Sequence, residues 1–161
     1  MTIREISFIS RERAEALPGS SGMAIISITD PGSAEAALAP TFRKVLRQAF
    51  FDAIPADDYI PMPFPGLFDQ GMAQAICAFV DELQADPDPL HCIVHCEYGI
   101  SRSAAVALFI EAYTGAPLHA REFANNANEW VASLLAEQRP PLLIEIPQPR
   151  ASQERRNNQR F

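Results

Sequence analysis

Apolar residues along this chain change their spacing several times, and each change marks an element. Residues 6–9 and 23–28 are short apolar runs bounded by charges, by Pro18-Gly19 and by Pro31-Gly32, and they predict strands. Residues 45–51 are more mixed but suit a third strand that ends at Asp52. From residue 68 to 84 the period becomes helical. Met72, Ala75, Ile76, Phe79, Val80 and Leu83 recur at three- and four-residue spacing and form one apolar face. Asp86-Pro87-Asp88-Pro89 stops that helix. Residues 90–94, with β-branched Ile93 and Val94, then read as a buried central strand. Residues 103–113 are apolar nearly all round, which predicts a buried helix ended by Gly115 and Pro117. Two further helical pieces are expected over 118–125 and 128–138, with Asn125, Asn126 and Asn128 at the break, where a new N-cap would suit. The alanine-rich residues 33–40 suggest a helical turn. Four prolines in the 14 residues from Ala53 to Gly66 rule out helix there and stiffen a loop.

Strands alternating with helices predict an α/β fold, with a central, mostly parallel sheet flanked by helices on both sides. Sites are then expected at the carboxyl ends of the strands. At 161 residues the chain suits one domain, expected over 1–138, with 139–161 as a flexible C-terminal tail.

Charge divides the chain at the same point. Residues 1–138 hold 8 basic and 18 acidic residues, whereas 139–161 hold 5 basic and 2 acidic. An acidic body repels nucleic acid and anionic membrane surfaces, so neither is expected as a partner. No stretch approaches the roughly 18 unbroken apolar residues of a membrane span, and the N-terminus has no apolar signal core. A cytoplasmic address is the expectation. Cys77, Cys92 and Cys96 are an odd set without C-x-x-C spacing, and with only three histidines in the chain they argue against a metal site.

One segment carries the chemistry: Val94-His95-Cys96-Glu97-Tyr98-Gly99-Ile100-Ser101-Arg102-Ser103. It lies between the buried strand and the buried helix, where successive amides and a helix N-terminus can hold an anion. Gly99 suits a tight loop that needs positive φ or a close backbone approach. In such a loop the helix end and Arg102 both favour the Cys96 thiolate, the form that attacks. The planar guanidinium of Arg102 can grip two oxygens of one phosphoryl group.

The string HCEYGISRS resembles the H-C-x-x-G-x-x-R-[ST] signature of cysteine-based protein tyrosine phosphatases, in its dual-specificity-like form. Five fixed positions of this kind coincide by chance in roughly one chain in 10⁴. The resemblance implies a phosphatase-like α/β domain and a catalytic set of Cys96, Arg102, Ser103 and an aspartate. By position, Cys96 corresponds to the nucleophile that forms a phosphocysteine, and Arg102 to the residue that binds the phosphoryl group. Ser103 corresponds to the hydroxyl that helps the sulfur leave, and His95 to the histidine that orders the loop. His95, Glu97, Tyr98, Gly99, Ile100, Ser101 and Arg102 would form the substrate-binding loop, with Tyr98 and Ile100 on its rim. No cofactor is implied, because thiolate, arginine and amides make up the set.

A proton donor for the leaving oxygen is also needed. There is no W-P-D tripeptide, and Asp52, Asp57, Asp58 and Asp69 are the candidates. Asp52 ends a predicted strand, the position that resembles the acid of compact dual-specificity-like relatives. The proline-rich stretch after it would then be an insertion. If it is not, Asp57 or Asp58 on that loop takes the role.

Glu97 lies inside the signature and no lysine does, which disfavours highly phosphorylated inositides or RNA ends. A phosphorylated protein, phosphotyrosine first, or a small aryl phosphate is the expected substrate. The competing reading is a pseudophosphatase that binds phosphate without turnover. Arsenate reductases and rhodaneses also hold a cysteine in an anion loop, but His95 and Arg102-Ser103 fit them less well.

Overall fold

The computed structural model describes residues 2–55 and 65–149. Four strands form one sheet in the order β1-β4-β2-β3, with β1 at Ile3–Ser10, β2 at Met23–Thr29, β3 at Lys44–Ala49 and β4 at Leu90–Cys96. All three pairings are parallel, so the expected mostly parallel sheet is parallel throughout. The order places β4 between β1 and β2, which explains why Leu90, Cys92, Ile93 and Val94 are all buried, on either face of the sheet.

Alternation along the strands sorts the side chains onto two unequal faces. Ile6, Ala24, Ile26, Ile28, Cys92, Val94 and Cys96 face a large core built with α2 at Gln70–Gln84, α3 at Arg102–Thr114 and α4 at Glu129–Glu137. Ile9, Ile25 and Ile93 face the other way, into a small cluster with Ala14 and Phe42. That second face is covered by one six-residue helix, α1 at Arg11–Ala16, and by the irregular segment before β3. Helices therefore do flank both sides, but one side is thin.

Helix α3 is buried from Arg102 through Ile110, as its uniform apolarity predicts. Each large side chain buried there contributes about 1.5–3 kcal/mol relative to exposure. Gly115 closes the helix at φ +77°, its N–H donating to the Glu111 carbonyl. The C-terminal segment reaches back across the large core, where Leu142, Ile144 and Ile146 are partly buried; residues 139–149 thus lie on the domain.

Three local expectations change. Residues 33–40 form no helical turn. Their backbone groups pair with side chains instead: Arg11 donates to the carbonyls of Ala34 and Glu35, Arg47 donates to Ala36, and the Ala37 N–H donates to Glu15. Residues 118–120 are not helical either. Leu118 bridges Ile6 in parallel, with the Ile6 N–H donating to Pro117 and the His119 N–H to the Ile6 carbonyl. A 3₁₀ helix follows only at Arg121–Asn126, after Ala120 at φ +56°. Helix α1 was not expected; Ser10 caps it, accepting from the Arg13 N–H. Of the three asparagines at the expected break, Asn128 caps α4, accepting from the Val131 N–H.

Candidate active site

The carboxyl ends of all four strands meet at one edge of the sheet, and the Cys96 loop occupies that edge. Cys96 is the last residue of β4, paired in register with Ser10 at the end of β1. The loop crosses from there to the first turn of α3. Gly99 takes φ +70°, and a Cβ on it would collide with the Ser10 nitrogen and the Ile9 carbonyl carbon. The loop thus rests on the end of β1, and only glycine fits at the contact. The Arg11 N–H donates to the Glu97 carbonyl at 3.2 Å, which ties the loop to α1 as well. The backbone N–H groups of residues 98–101 have no partner among the described residues. Among those residues this leaves a run of successive donors without an acceptor, as an anion nest requires.

Side chains complete the loop from below. The Cys96 thiol donates to Ser103 Oγ at 3.1 Å, and both residues are buried. His95 is fully buried, with Nδ1 3.3 Å from the Cys96 carbonyl and Nε2 2.6 Å from Ser27 Oγ. A carbonyl only accepts, so Nδ1 carries the proton and Nε2 accepts from the Ser27 hydroxyl. Burial holds the His95 pKa below its ordinary value, which keeps the ring neutral. The same cause pushes Cys92 up to about 12 and raises Cys77, so both remain thiols in the core.

Arg102 lies over the pocket with its side chain 5% exposed. Its Nη1 donates to Asp30 Oδ1 at 2.7 Å and to the Phe50 carbonyl at 2.6 Å, while its Nε is buried without a partner among the described residues. Two acceptors from the ends of β2 and β3 therefore aim the guanidinium. An unpartnered buried N–H is costly unless something else accepts from it.

Asp52 follows β3 and faces the loop. Its Oδ1 accepts from the Ser101 hydroxyl at 2.8 Å and from Asn128 Nδ2 at 2.9 Å. Asp52, Cys96, Tyr98, Ile100, Ser101 and Arg102 line one cavity of about 190 Å³. Beside it, sharing Asp52 and Ser101, runs a wider groove of about 500 Å³ walled by Ile54 and by residues 125–129. Asp69 is elsewhere in function: it caps α2, accepting from the Met72 N–H at 2.9 Å. Asp57 and Asp58 lie outside the described residues. The Phe51 N–H donates to the Gly66 carbonyl at 2.8 Å, which holds the two flanks of the proline-rich stretch together.

The rim is apolar and acidic. Tyr98 and Ile100 are 77% and 49% exposed at the mouth, and Ile54 is exposed beside them. Glu97 does not point into the cavity; Arg11 holds its carboxylate at 3.7 Å. The loop residues, Asp52 and Ser103 thus come together as the sequence suggests. Three supports were not legible there. Asp30 and the Phe50 carbonyl hold Arg102, and Asn128 Nδ2 reaches Asp52 and the Ala53 carbonyl while its Oδ1 caps α4. Only the cap left a trace in the sequence.

No protein-family model matches the chain. No curated protein matches it either. Among solved structures the chain is similar to human DUSP28, at 18% identity and a TM-score of 0.43, over 96% of this chain and 92% of that one. It is also similar to the human tyrosine phosphatase-like serine/threonine/tyrosine-interacting protein, at 17% identity and a TM-score of 0.41, over 88% of this chain and 80% of that one. No helix among the described residues is long and apolar enough to cross a membrane.

Proposed function

We propose that the protein is a cysteine-dependent phosphatase that hydrolyses phosphomonoesters, protein phosphotyrosine first, through a phosphocysteine on Cys96. One observation carries this reading. One cavity is lined by the buried Cys96, by Tyr98, Ile100 and Ser101 of its loop, by Asp52, and by Arg102, whose Nε has no partner among the described residues.

In the first step the Cys96 thiolate attacks phosphorus and the bond to the leaving oxygen breaks. Asp52, protonated, gives its proton to that oxygen. The amides of the loop and the Arg102 guanidinium hold the three equatorial oxygens, where charge is spread in the transition state. Asp30 and the Phe50 carbonyl fix the guanidinium beforehand, so little reorganisation is left for the moment of reaction. In the second step water attacks the phosphocysteine and Asp52 takes its proton. The sulfur leaves as thiolate, and the Ser103 hydroxyl, 3.1 Å away, donates to it.

The rim supports the choice of substrate. Tyr98, Ile100 and Ile54 offer apolar surface to an aromatic ring. The nearby cations are already engaged: Arg11 with Glu15 and Glu97, Arg47 with Glu35. A polyphosphorylated headgroup would find no free positive rim among the described residues.

The test is hydrolysis of an aryl phosphate by wild type, Cys96→Ser and Asp52→Asn, in chelator and across pH. Turnover by wild type that vanishes with Cys96→Ser is the expected result. A wild type that binds phosphate but never turns over would replace this reading with a phosphate-binding pseudophosphatase.

A further inference from the structure

At the opposite end of the sheet from Cys96, three side chains converge on the thinly covered face. Glu5 on β1 and His91 on β4 are partners in register, and His119 belongs to the short segment that pairs with the outer edge of β1. The three thus stand side by side on neighbouring parallel stretches of chain. Glu5 Oε1 lies 3.2 Å from His91 Nδ1, and Glu5 Oε2 lies 2.8 Å from His119 Nε2. One ligand atom from each residue falls within 4.8 Å of the others.

We propose that Glu5, His91 and His119 form a binding site for a first-row divalent transition-metal ion of the zinc class. Two imidazole nitrogens and a carboxylate are a donor set that zinc takes readily, leaving a fourth position to water. A tetrahedral ion with bonds of about 2.0–2.2 Å spaces its ligands about 3.3 Å apart, close to the separations present. Side-chain shifts of about an ångström or less would admit it. His91 has its supporting partner in place, since its Nε2 is 2.7 Å from Ser7 Oγ. With the Nε2 proton donated to Ser7, the Nδ1 lone pair turns toward the carboxylate, the orientation a ligand needs. None of the three cysteines takes part, so the lack of C-x-x-C spacing has no bearing on this site.

The ion would clip the 117–119 segment to β1 and β1 to β4. Its consequence is stability of the sheet edge rather than chemistry. His91 is five residues before Cys96 on the same strand, about 16 Å away at the rise of a β-strand.

The experiment is zinc titration of the untagged full chain, by calorimetry and against a chromophoric chelator, with magnesium as the comparison. One zinc per chain is expected, with no magnesium binding. His119→Ala and Glu5→Gln, both at partly exposed positions, should each weaken zinc at least tenfold while leaving the metal-free fold intact. Ser7→Ala should weaken it about tenfold through His91. Zinc at 100-fold excess over its Kd should raise Tm by about 5–10 °C in wild type and not in His119→Ala. Cobalt should give d–d absorption without a thiolate charge-transfer band. Zinc binding that survives His119→Ala and Glu5→Gln but disappears with Cys96→Ser would overturn the proposal and place the ion on the catalytic thiol. Absence of saturable zinc binding would overturn it equally, and neither result bears on phosphatase turnover, which is assayed in chelator.

Discussion

The proposed nucleophile and the proposed acid of this site are held in contrasting ways. Cys96 is buried at the end of a central strand, its loop fixed by the Gly99 contact with β1, by α1 and by a neutral His95 underneath. Asp52 is exposed, sits just past the outermost strand β3, and is steadied through one oxygen by Ser101 and Asn128. On the proposed mechanism, phosphoryl binding and attack tolerate little displacement, and the groups assigned to them are built into the core. Proton transfer would have to follow leaving groups of different shape, and the carboxylate assigned to it is exposed.

The most severe way to break that comparison is to remove the sulfur. Cys96→Ser should lower kcat by about 10⁴–10⁶-fold, the scale seen when a nucleophile is deleted, while phosphate still raises Tm. Arg102→Lys keeps the charge but loses the planar fork, and should cost about 10²–10³-fold in kcat/KM together with weaker phosphate binding. Equal turnover by either variant would refute the assignment of the rigid half.

Asp52→Asn should lower kcat by about 10²–10⁴-fold and abolish the basic limb of the pH–rate profile, with the smallest loss on aryl esters of acidic phenols. A profile that keeps its basic limb would move the acid to another residue. Asn128→Asp sharpens the comparison further. It keeps the oxygen that caps α4 but sets a second carboxylate against Asp52. The basic limb should move to higher pH by like-charge repulsion, with thermal stability little changed. If Asn128 were only a helix cap, the profile would not move.

The smallest effect concerns the support beneath the loop. His95 binds protons less readily folded than unfolded, because burial dominates, with Arg11 and Arg47 adding to the depression and Glu15 and the Cys96 carbonyl opposing it. The unfolded chain therefore takes up more protons below the ordinary histidine value of 6.5. Stability from this residue is complete above that pH and is lost as pH falls from there through the lowered folded value. Thermal melts of wild type and His95→Gln between pH 8 and about 4.5 should differ in this window, the variant showing the shallower decline.

Much of this was legible in the residues themselves. The strand–loop–helix frame around HCEYGISRS follows from periodicity, and the signature places Cys96, Arg102 and Ser103 without any geometry. Asp30 and Asn128 were invisible for a physical reason. Their roles come from strands and helices meeting at one edge, 72 and 26 residues along the chain from Arg102. Residues 33–40 misled because alanine content signals helix, whereas here Arg11, Arg47 and Glu15 satisfy the backbone in another shape. Glu5, His91 and His119 share no sequence spacing at all; the sheet register alone assembles them.

The seating of Gly99 on β1 also says something about how the molecule is made. Strand β1 precedes the other three strands in the chain, yet among the described residues the strand that pairs with it is β4, whose residues lie about 86 positions further on. Thr2 likewise waits for Gln84 and Asp86. Closing a loop of that length is slow in the entropic sense, and nothing nearer in sequence pairs with that strand to hold its place. Assembly of the Cys96 loop therefore waits on a long-range event, completed when the first strand of the sheet meets the last. On the proposed function, a chain with β2, β3 and α2 in place but β1 unpaired would not bind phosphate, and acquisition of binding would report the closing of the whole sheet.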